Sequence, residues 1–421
     1  MAIGGRLSGL LRHPDFLKLW TGQSVSLFGS QITRLALPFT AILSLHATAA
    51  QMGILGAVQL APFLLLGLFV GVWVDRLPRR PILIAADIGR ALLLSAIPLM
   101  ALTHTLRIEY LFIVGFLLGT LELFFDVAYM SFLPSLIERE QLVDGNSMLQ
   151  MSDSVAQVAG PGLGGALVQL LTAPLAILTD ALTFLASAIS IIAIGAREEA
   201  VQTDARRNVW RELREGLKLV VGNPLLRAIG GCTATLNLSA NALFTVYMLY
   251  CTGPLGLKPA VIGAMFAIGG LSTVAGTLLA SRAAGRFGVG PMLIASPFVI
   301  GLASLLIPLA GGPPLVAVLL LIAAQVLFGL GRPIFDINQL SLRQAITPAR
   351  LQGRVNASML FIMWGVIPIG SLLGGLLGTT IGLRQTLAVG AVGMSLAFIW
   401  VLFSPIRGLR RQPPGVAHEA A

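Results

Sequence analysis

The chain alternates long apolar runs with short polar connections. Runs at 15–43, 50–75, 81–103, 108–133, 145–171 and 173–195 are followed by 224–252, 260–283, 290–310, 314–342, 352–380 and 382–403. About 20 mostly apolar residues suffice for a helix to cross a hydrocarbon core of roughly 30 Å. Stretches such as Ile54–Val74 and Leu315–Leu330 show none of the two-residue alternation of a membrane barrel strand. Backbone polar groups in lipid must be satisfied internally, so these runs are predicted to be helices. The expected fold is an all-α membrane protein of twelve transmembrane helices. One long polar connection, Arg197–Asn223, bisects it. There Trp210, Leu213, Leu217 and Val220 have the spacing of an amphipathic helix lying on a membrane surface; a solvated linker fits equally well. The expected organisation is a bundle at 1–196, a linker at 197–223, a second bundle at 224–406 and a tail at 407–421.

The two halves repeat. A gapless shift of 210 residues places Pro14 on Pro224, Gly53 on Gly263, Pro98 on Pro308, Gly119 on Gly329 and Asn146 on Asn356. Phe125-Asp126 falls on Phe335-Asp336, and Gly160, Leu163, Gly164 and Gly165 fall on Gly370, Leu373, Gly374 and Gly375. Matches among apolar residues are cheap; matches at Asp, Asn and Pro along the whole chain are not. Six spans per half leave both halves in the same orientation, a parallel repeat about an axis along the membrane normal. Two such six-helix bundles can rock about a central site.

Composition supports this pattern. Hydrophobic residues make up 56% of the chain and charged residues 11%, against about 25% charged in an ordinary soluble domain. The formal charge of +10 is explained by placement. Most of the lysines and arginines fall in the tails and connections of one side, among them Arg6, Arg12, Lys18, Arg76, Arg79, Arg80, Arg197, Arg206, Arg207, Arg286, Arg354 and Arg407. The opposite connections hold Arg107, Lys258 and Arg384, while Arg34, Arg90 and Arg332 fall within spans. The positive-inside rule puts the basic connections and both termini in the cytoplasm of an inner-membrane protein, and argues against a nucleic-acid partner. Cys232 and Cys251 lie in one helix about 28 Å apart, out of disulfide reach. Met1–Leu11 is too short and polar for a cleavable leader.

The connection after the second run reads Gly71-Val72-Trp73-Val74-Asp75-Arg76-Leu77-Pro78-Arg79-Arg80. It resembles the hallmark G-x-x-x-D-R-x-G-R-[RK] loop of the major facilitator superfamily, with Pro78 where that family usually has Gly. The resemblance implies the twelve-helix fold and a cytoplasmic latch. In that latch, which includes Arg76, Gly71 would permit close packing, Asp75 would face the positive N-terminus of a helix of the other half, and Arg79 and Arg80 would grip acidic groups or lipid phosphates. Gly160-Pro161-Gly162-Leu163-Gly164-Gly165 resembles the core of the antiporter motif of exporters in this superfamily, with Pro161 a kink and Gly160 and Gly164 a close-packing face. The segments Asp15–Trp20, Phe125–Tyr129 and Ala173–Asp180 resemble bacterial drug and siderophore exporters such as macrolide efflux and enterobactin export proteins.

Charges inside a membrane cost at least ~2.5 kcal/mol each near the centre and need a reason. Glu122 lies mid-span, and the 210-residue shift puts Arg332 at the matching point. The resemblance places both on cavity-lining helices, which makes Glu122 the candidate proton-coupling carboxylate and Arg332 or Arg34 its counter-ion. A static salt bridge is the competing reading. Asp126 and Asp336, a turn away, are expected to gate by clamping Arg76, Arg79 or Arg286, whereas Asp180 and the Asp87–Arg90 pair read as structural. Gln23, Ser30, Gln31 and Asn241 face the cavity or act as local hydrogen-bond glue. The cavity helices look sparse in polar groups. No G-x-x-x-x-G-K-[ST], H-E-x-x-H or CxxC sequence is present, so neither enzyme chemistry nor a cofactor is expected. The expectation is a monomeric secondary transporter that exports amphiphilic small molecules in exchange for protons, with membrane lipids around it. A nutrient symporter or facilitator and a lipid flippase are the alternatives.

Overall fold

The computed structural model describes residues 10, 13–74, 76–195 and 209–409, with backbone only for 68, 72, 139, 209–213 and 349. All twelve expected spans are helical. They are α1 (Pro14–Phe39), α2 (Ala49–Val74), α3 (Arg79–Leu102), α4 (Ile108–Leu136), α5 (Leu142–Leu171) and α6 (Ala173–Ile192), then α8 (Pro224–Thr252), α9 (Pro259–Phe287), α10 (Val289–Leu309), α11 (Pro314–Ile346), α12 (Ala349–Thr380) and α13 (Leu383–Leu396), the last continued by a short α14 (Ile399–Leu402). Between the halves lies α7 (Val209–Gly222). Among the described residues ten helices are long and apolar enough to cross a membrane, or eleven if α8 is counted with the end of α7. The twelfth, α1, has the length, but Asp15, Lys18 and Arg34 make it more polar. Large apolar side chains that a soluble protein would hide lie on the outside, among them Leu92, Leu99, Leu170 and Ile189. That is the surface of a chain whose solvent is lipid.

The chain divides into two compact units. One comprises Met1–Ala47, Val58–Ala205 and Lys258–Ala267; the other comprises Thr48–Ala57, Arg206–Leu257 and Ile268–Ala421. The opening turns of α2 and α9 therefore pack with the unit opposite to the rest of their helices.

Corresponding residues do corresponding work in the two units. His13 caps α1 by accepting the Phe16 amide at 3.2 Å, with Pro14 in the first turn; Asn223 caps α8 by accepting the Leu225 amide at 2.9 Å, with Pro224 in the first turn. Proline costs nothing there because its missing N–H would be unpaired anyway. In the first unit Gly160 and Gly164 of α5 press on Gln31 and Ile32 of α1, and Gly119 of α4 on the Gln59 carbonyl of α2. In the second, Gly370 and Gly374 of α12 press on Leu238 and Ala242 of α8, and Gly329 of α11 on the Gly269 carbonyl of α9. Gly165 meets Gly263 backbone to backbone in the first unit, and Gly375 meets Gly53 in the second. Small residues allow these approaches, and close packing is what holds helices together where lipid is as apolar as leucine.

The linker helix is docked. The end of α7 meets α8 at 103°, Gly216 lies against Arg354 and Ser358 of α12, and Glu215 pairs with Arg354 at 2.9 Å. Val220 is buried, while Leu217 and Val221 stay exposed, as suits a helix lying along a surface. Residues 196–208 of the connection and 410–421 of the tail lie outside the described residues.

One matched pair is unequal. The turn into α6 holds Thr172 at φ +99°, and the turn into α13 holds Gly382 at φ +93°. A β-branched residue there carries about 1–3 kcal/mol of strain, more than the ~0.4–1 kcal/mol of unfolded-chain entropy that a glycine would add. Thr172→Gly is therefore expected to raise the thermal midpoint of the detergent-purified protein, and Gly382→Thr to lower it. A lower midpoint for Thr172→Gly would contradict the strain.

Candidate functional site

The ionisable groups of the first unit fall into two kinds. Asp87 and Arg90 of α3 form a buried ion pair at 2.5 Å, and the Arg90 guanidinium lies between the rings of Phe125 and Phe184, 4.3 and 4.2 Å from their centroids. Asp180 of α6 is equally buried, against Gly29 of α1 and hydrogen-bonded by Thr183 at 3.0 Å. These groups are enclosed and held by protein partners, although Asp87 Oδ2 accepts no hydrogen bond. Glu122 of α4 and Arg34 of α1 differ: they pair at 3.9 Å with side chains 46% and 63% exposed. Asp126, one turn along α4, is within electrostatic reach of Glu122, Arg90 and Arg34. Ions at mid-span do not face lipid, so this loosely held group requires water.

A cavity of about 930 Å³ opens in the same unit. Gln23 of α1, Tyr129 of α4, and Asn146, Gln150, Asp153 and Ser154 of α5 line it. The Asp153 carboxylate accepts from Gln157 at 2.7 Å and Gln150 at 3.4 Å, both on Oδ2. Gln23 Oε1 and the Tyr129 hydroxyl have no hydrogen-bond partner. Deeper in the wall, Ser152 accepts from Trp20 Nε1 at 3.0 Å and from Ser24 at 2.8 Å. The polar lining comes chiefly from α5, a helix not expected to line the cavity, whose polar residues at 146, 150, 153, 154 and 157 recur on one face at helical spacing. Gln31 is buried, its aliphatic stem packed against Gly160, and Asn241 donates within its own helix to the Asn237 carbonyl.

In the second unit Arg332 has partners of its own. It donates to Asp336, one turn along α11, at 2.7 Å and to Asn237 of α8 at 3.2 Å. Asp336 is thus occupied by Arg332 rather than clamping Arg286, and Asp126 forms no ion pair among the described residues. An i,i+4 partner on the same helix lies within side-chain reach whatever the tertiary arrangement, which is why it prevails over the partners expected from sequence symmetry.

These features sit on a recognisable scaffold. The family model described as Major Facilitator Superfamily matches residues 19–369 and 229–420. The chain belongs to that superfamily. The multidrug efflux pump Tap of Mycolicibacterium fortuitum is 28% identical over 396 residues, 90% of this chain and 92% of that protein. Macrolide efflux protein A of Streptococcus pyogenes is 26% identical over 405 residues, 94% and 97% of the two chains. A bacterial homologue of the iron transporter ferroportin, solved in an inward-facing state, superposes with a TM-score of 0.76 at 19% identity, over 93% of this chain and 98% of that one; that likeness concerns the fold alone. The protein is a multi-pass membrane transporter of the major facilitator type, acting on small molecules.

The superfamily's loop motif is only partly on view. Asp75 lies outside the described residues. Gly71 is not a packing glycine in this structure: a methyl group there would meet open space. Arg76 is exposed in the turn. Arg80 donates to the Ile191 and Ile192 carbonyls at 3.2 and 2.7 Å, so it caps α6 at the negative end of its dipole rather than reaching only for acids or phosphates. Lys18 joins it, bonding the Ala193 carbonyl at 2.7 Å and Asp15 at 2.8 Å, while Asp15 accepts the Gly195 amide at 3.2 Å. This clasp of α1, α3 and α6 was not anticipated from the motif. The antiporter-like glycines divide their contacts: Gly160 and Gly164 pack on α1, and Gly165 and the Pro161 carbonyl pack on Gly263 of α9.

The two kinds of ion pair predict opposite mutational outcomes. Arg90→Ala strands a buried carboxylate and is expected to cost about 3–5 kcal/mol of stability. Glu122→Gln breaks an exposed pair, for which about 0–1 kcal/mol is expected. Thermal or denaturant unfolding of the purified variants measures both, and equal losses would remove the distinction.

Proposed function

We propose that this superfamily member is a proton-coupled exporter of amphiphilic small molecules, with the basic connections and both termini in the cytoplasm. The observation that carries the reading is the Arg34–Glu122–Asp126 group. It is mid-span, exposed and loosely paired, at 3.9 Å, on the two helices that also contribute Gln23 and Tyr129 to the cavity. A carboxylate held this way can exchange its proton for its arginine without unpacking a core, whereas Asp87 and Asp180 cannot. Protonation of Glu122 frees Arg34, and its deprotonation recaptures it. Two such states give a proton gradient purchase on the helices that carry them. Sequence relatives named as efflux pumps support the outward direction, and each charge moved across 100 mV supplies ~2.3 kcal/mol. Asp75, Arg76 and Arg79 are the proposed latch, and Asp126 and Asp336 the residues that tune their neighbouring arginines.

The test is ethidium accumulation in cells lacking their own pumps, with and without a protonophore, followed by proteoliposomes with an imposed pH gradient. The protein is expected to lower accumulation only while the gradient lasts. Glu122→Gln is expected to abolish gradient-driven uphill transport yet retain exchange of ethidium for ethidium. Gradient-driven transport that survives in Glu122→Gln would refute the assignment of Glu122, and accumulation indifferent to the protein would refute export.

A further inference from the structure

We propose that the α5 face of the cavity is the subsite for a protonated amine, with Asp153 as its charge-selecting residue. This rests on the efflux reading and narrows it to amphiphiles that carry an ammonium group.

Among the described residues the lining contains no lysine, arginine or histidine, and Asp153 is its one carboxylate. Both hydrogen bonds that Asp153 receives fall on Oδ2, which leaves Oδ1 without a protein donor among the described residues. No described cation pairs with it either, in contrast to Glu122, Asp87, Asp336 and Asp15, which have Arg34, Arg90, Arg332 and Lys18. Gln23 of α1 and Tyr129 of α4 line the same cavity, with Gln23 Oε1 and the Tyr129 oxygen turned into the protein. A carboxylate with one oxygen free to accept, on a space of about 930 Å³, wants a ligand that supplies N–H donors and a positive charge. An ammonium group does both, and charge-assisted hydrogen bonds are roughly twice as strong as neutral ones. Leu27, Val143, Leu149 and Met151 line the same cavity and take the apolar body, with methionine adapting to its shape. An anionic ligand would meet a carboxylate with no cation beside it among the described residues. Gln150 and Gln157 are positioning residues: as donors on Oδ2 from one turn either side, they fix the orientation of the Asp153 carboxylate and leave Oδ1 free.

The experiment uses two ligands of one shape, 2-(1-naphthyl)ethylamine, which is protonated at neutral pH, and 2-(1-naphthyl)ethanol, which is neutral. Binding to the full chain in nanodiscs is measured by equilibrium dialysis, with empty nanodiscs subtracted. The wild-type protein is expected to favour the amine by about tenfold or more, the ratio that one charge-assisted contact supplies. Asp153→Asn is expected to bring the ratio close to one, and Asp153→Glu to restore most of it; thermal midpoints confirm that both variants are folded. A wild-type ratio near one, or a preference for the amine that persists in Asp153→Asn, overturns the proposal. Because the assay needs no proton gradient, loss of the preference with ethidium export intact removes the subsite alone. Export that ignores the gradient, with the preference intact, removes the efflux reading alone.

Discussion

The cost of placing charge and unpaired backbone in hydrocarbon organises this protein. It makes every spanning segment a helix, because only a helix satisfies its own amides and carbonyls there. It also sorts the charged side chains that remain. Arg90 and Asp87 survive at mid-span because they hold each other inside a cage of Phe125 and Phe184. Glu122, Arg34 and Asp153 have no such enclosure and depend on water reaching them. For Asp153 that water lies in the cavity of the first unit, which it lines.

The same cost explains the glycines. Helices in lipid gain nothing from hiding apolar side chains from one another, so they associate by fitting closely. Gly119 on Gln59, Gly329 on Gly269, Gly165 on Gly263 and Gly375 on Gly53 are places where one backbone meets another. The recurrence of each crossing 210 residues later shows one packing solution used twice. Surfaces in contact through small residues can slide with little rearrangement of side chains, a useful property in a transporter.

The fold was legible in the sequence because its determinants are local or periodic: the length of apolar runs, His13-Pro14 and Asn223-Pro224 at helix starts, and glycines at a fixed offset. The predicted limits of α8 agree with the observed Pro224–Thr252. The candidate site was less legible because it is decided by which side chain finds which. Symmetry put Arg332 opposite Glu122, but Arg332 bonds Asp336 on its own helix, and Arg34 is the arginine that reaches Glu122. Family motifs drew attention to Gly71, which packs on nothing here, and away from Asp153, whose neighbours Gln150 and Gln157 read as an ordinary polar helix face. The spacing of 146, 150, 153 and 157 carried that signal, and its meaning appears only when Gln23 and Tyr129 from other helices close the same cavity.

The central claim is that water reaches Glu122 and the α5 face while the apolar exterior is covered by lipid. Accessibility of single cysteines to a charged, membrane-impermeant thiol reagent measures this directly, in a chain whose own Cys232 and Cys251, both buried, are replaced. Cysteines at 122, 150 and 153 are expected to react in open membrane sheets, and cysteines at 92, 99 and 189 to stay protected. Equal reactivity at the two sets, or reaction only at the second, would contradict the account.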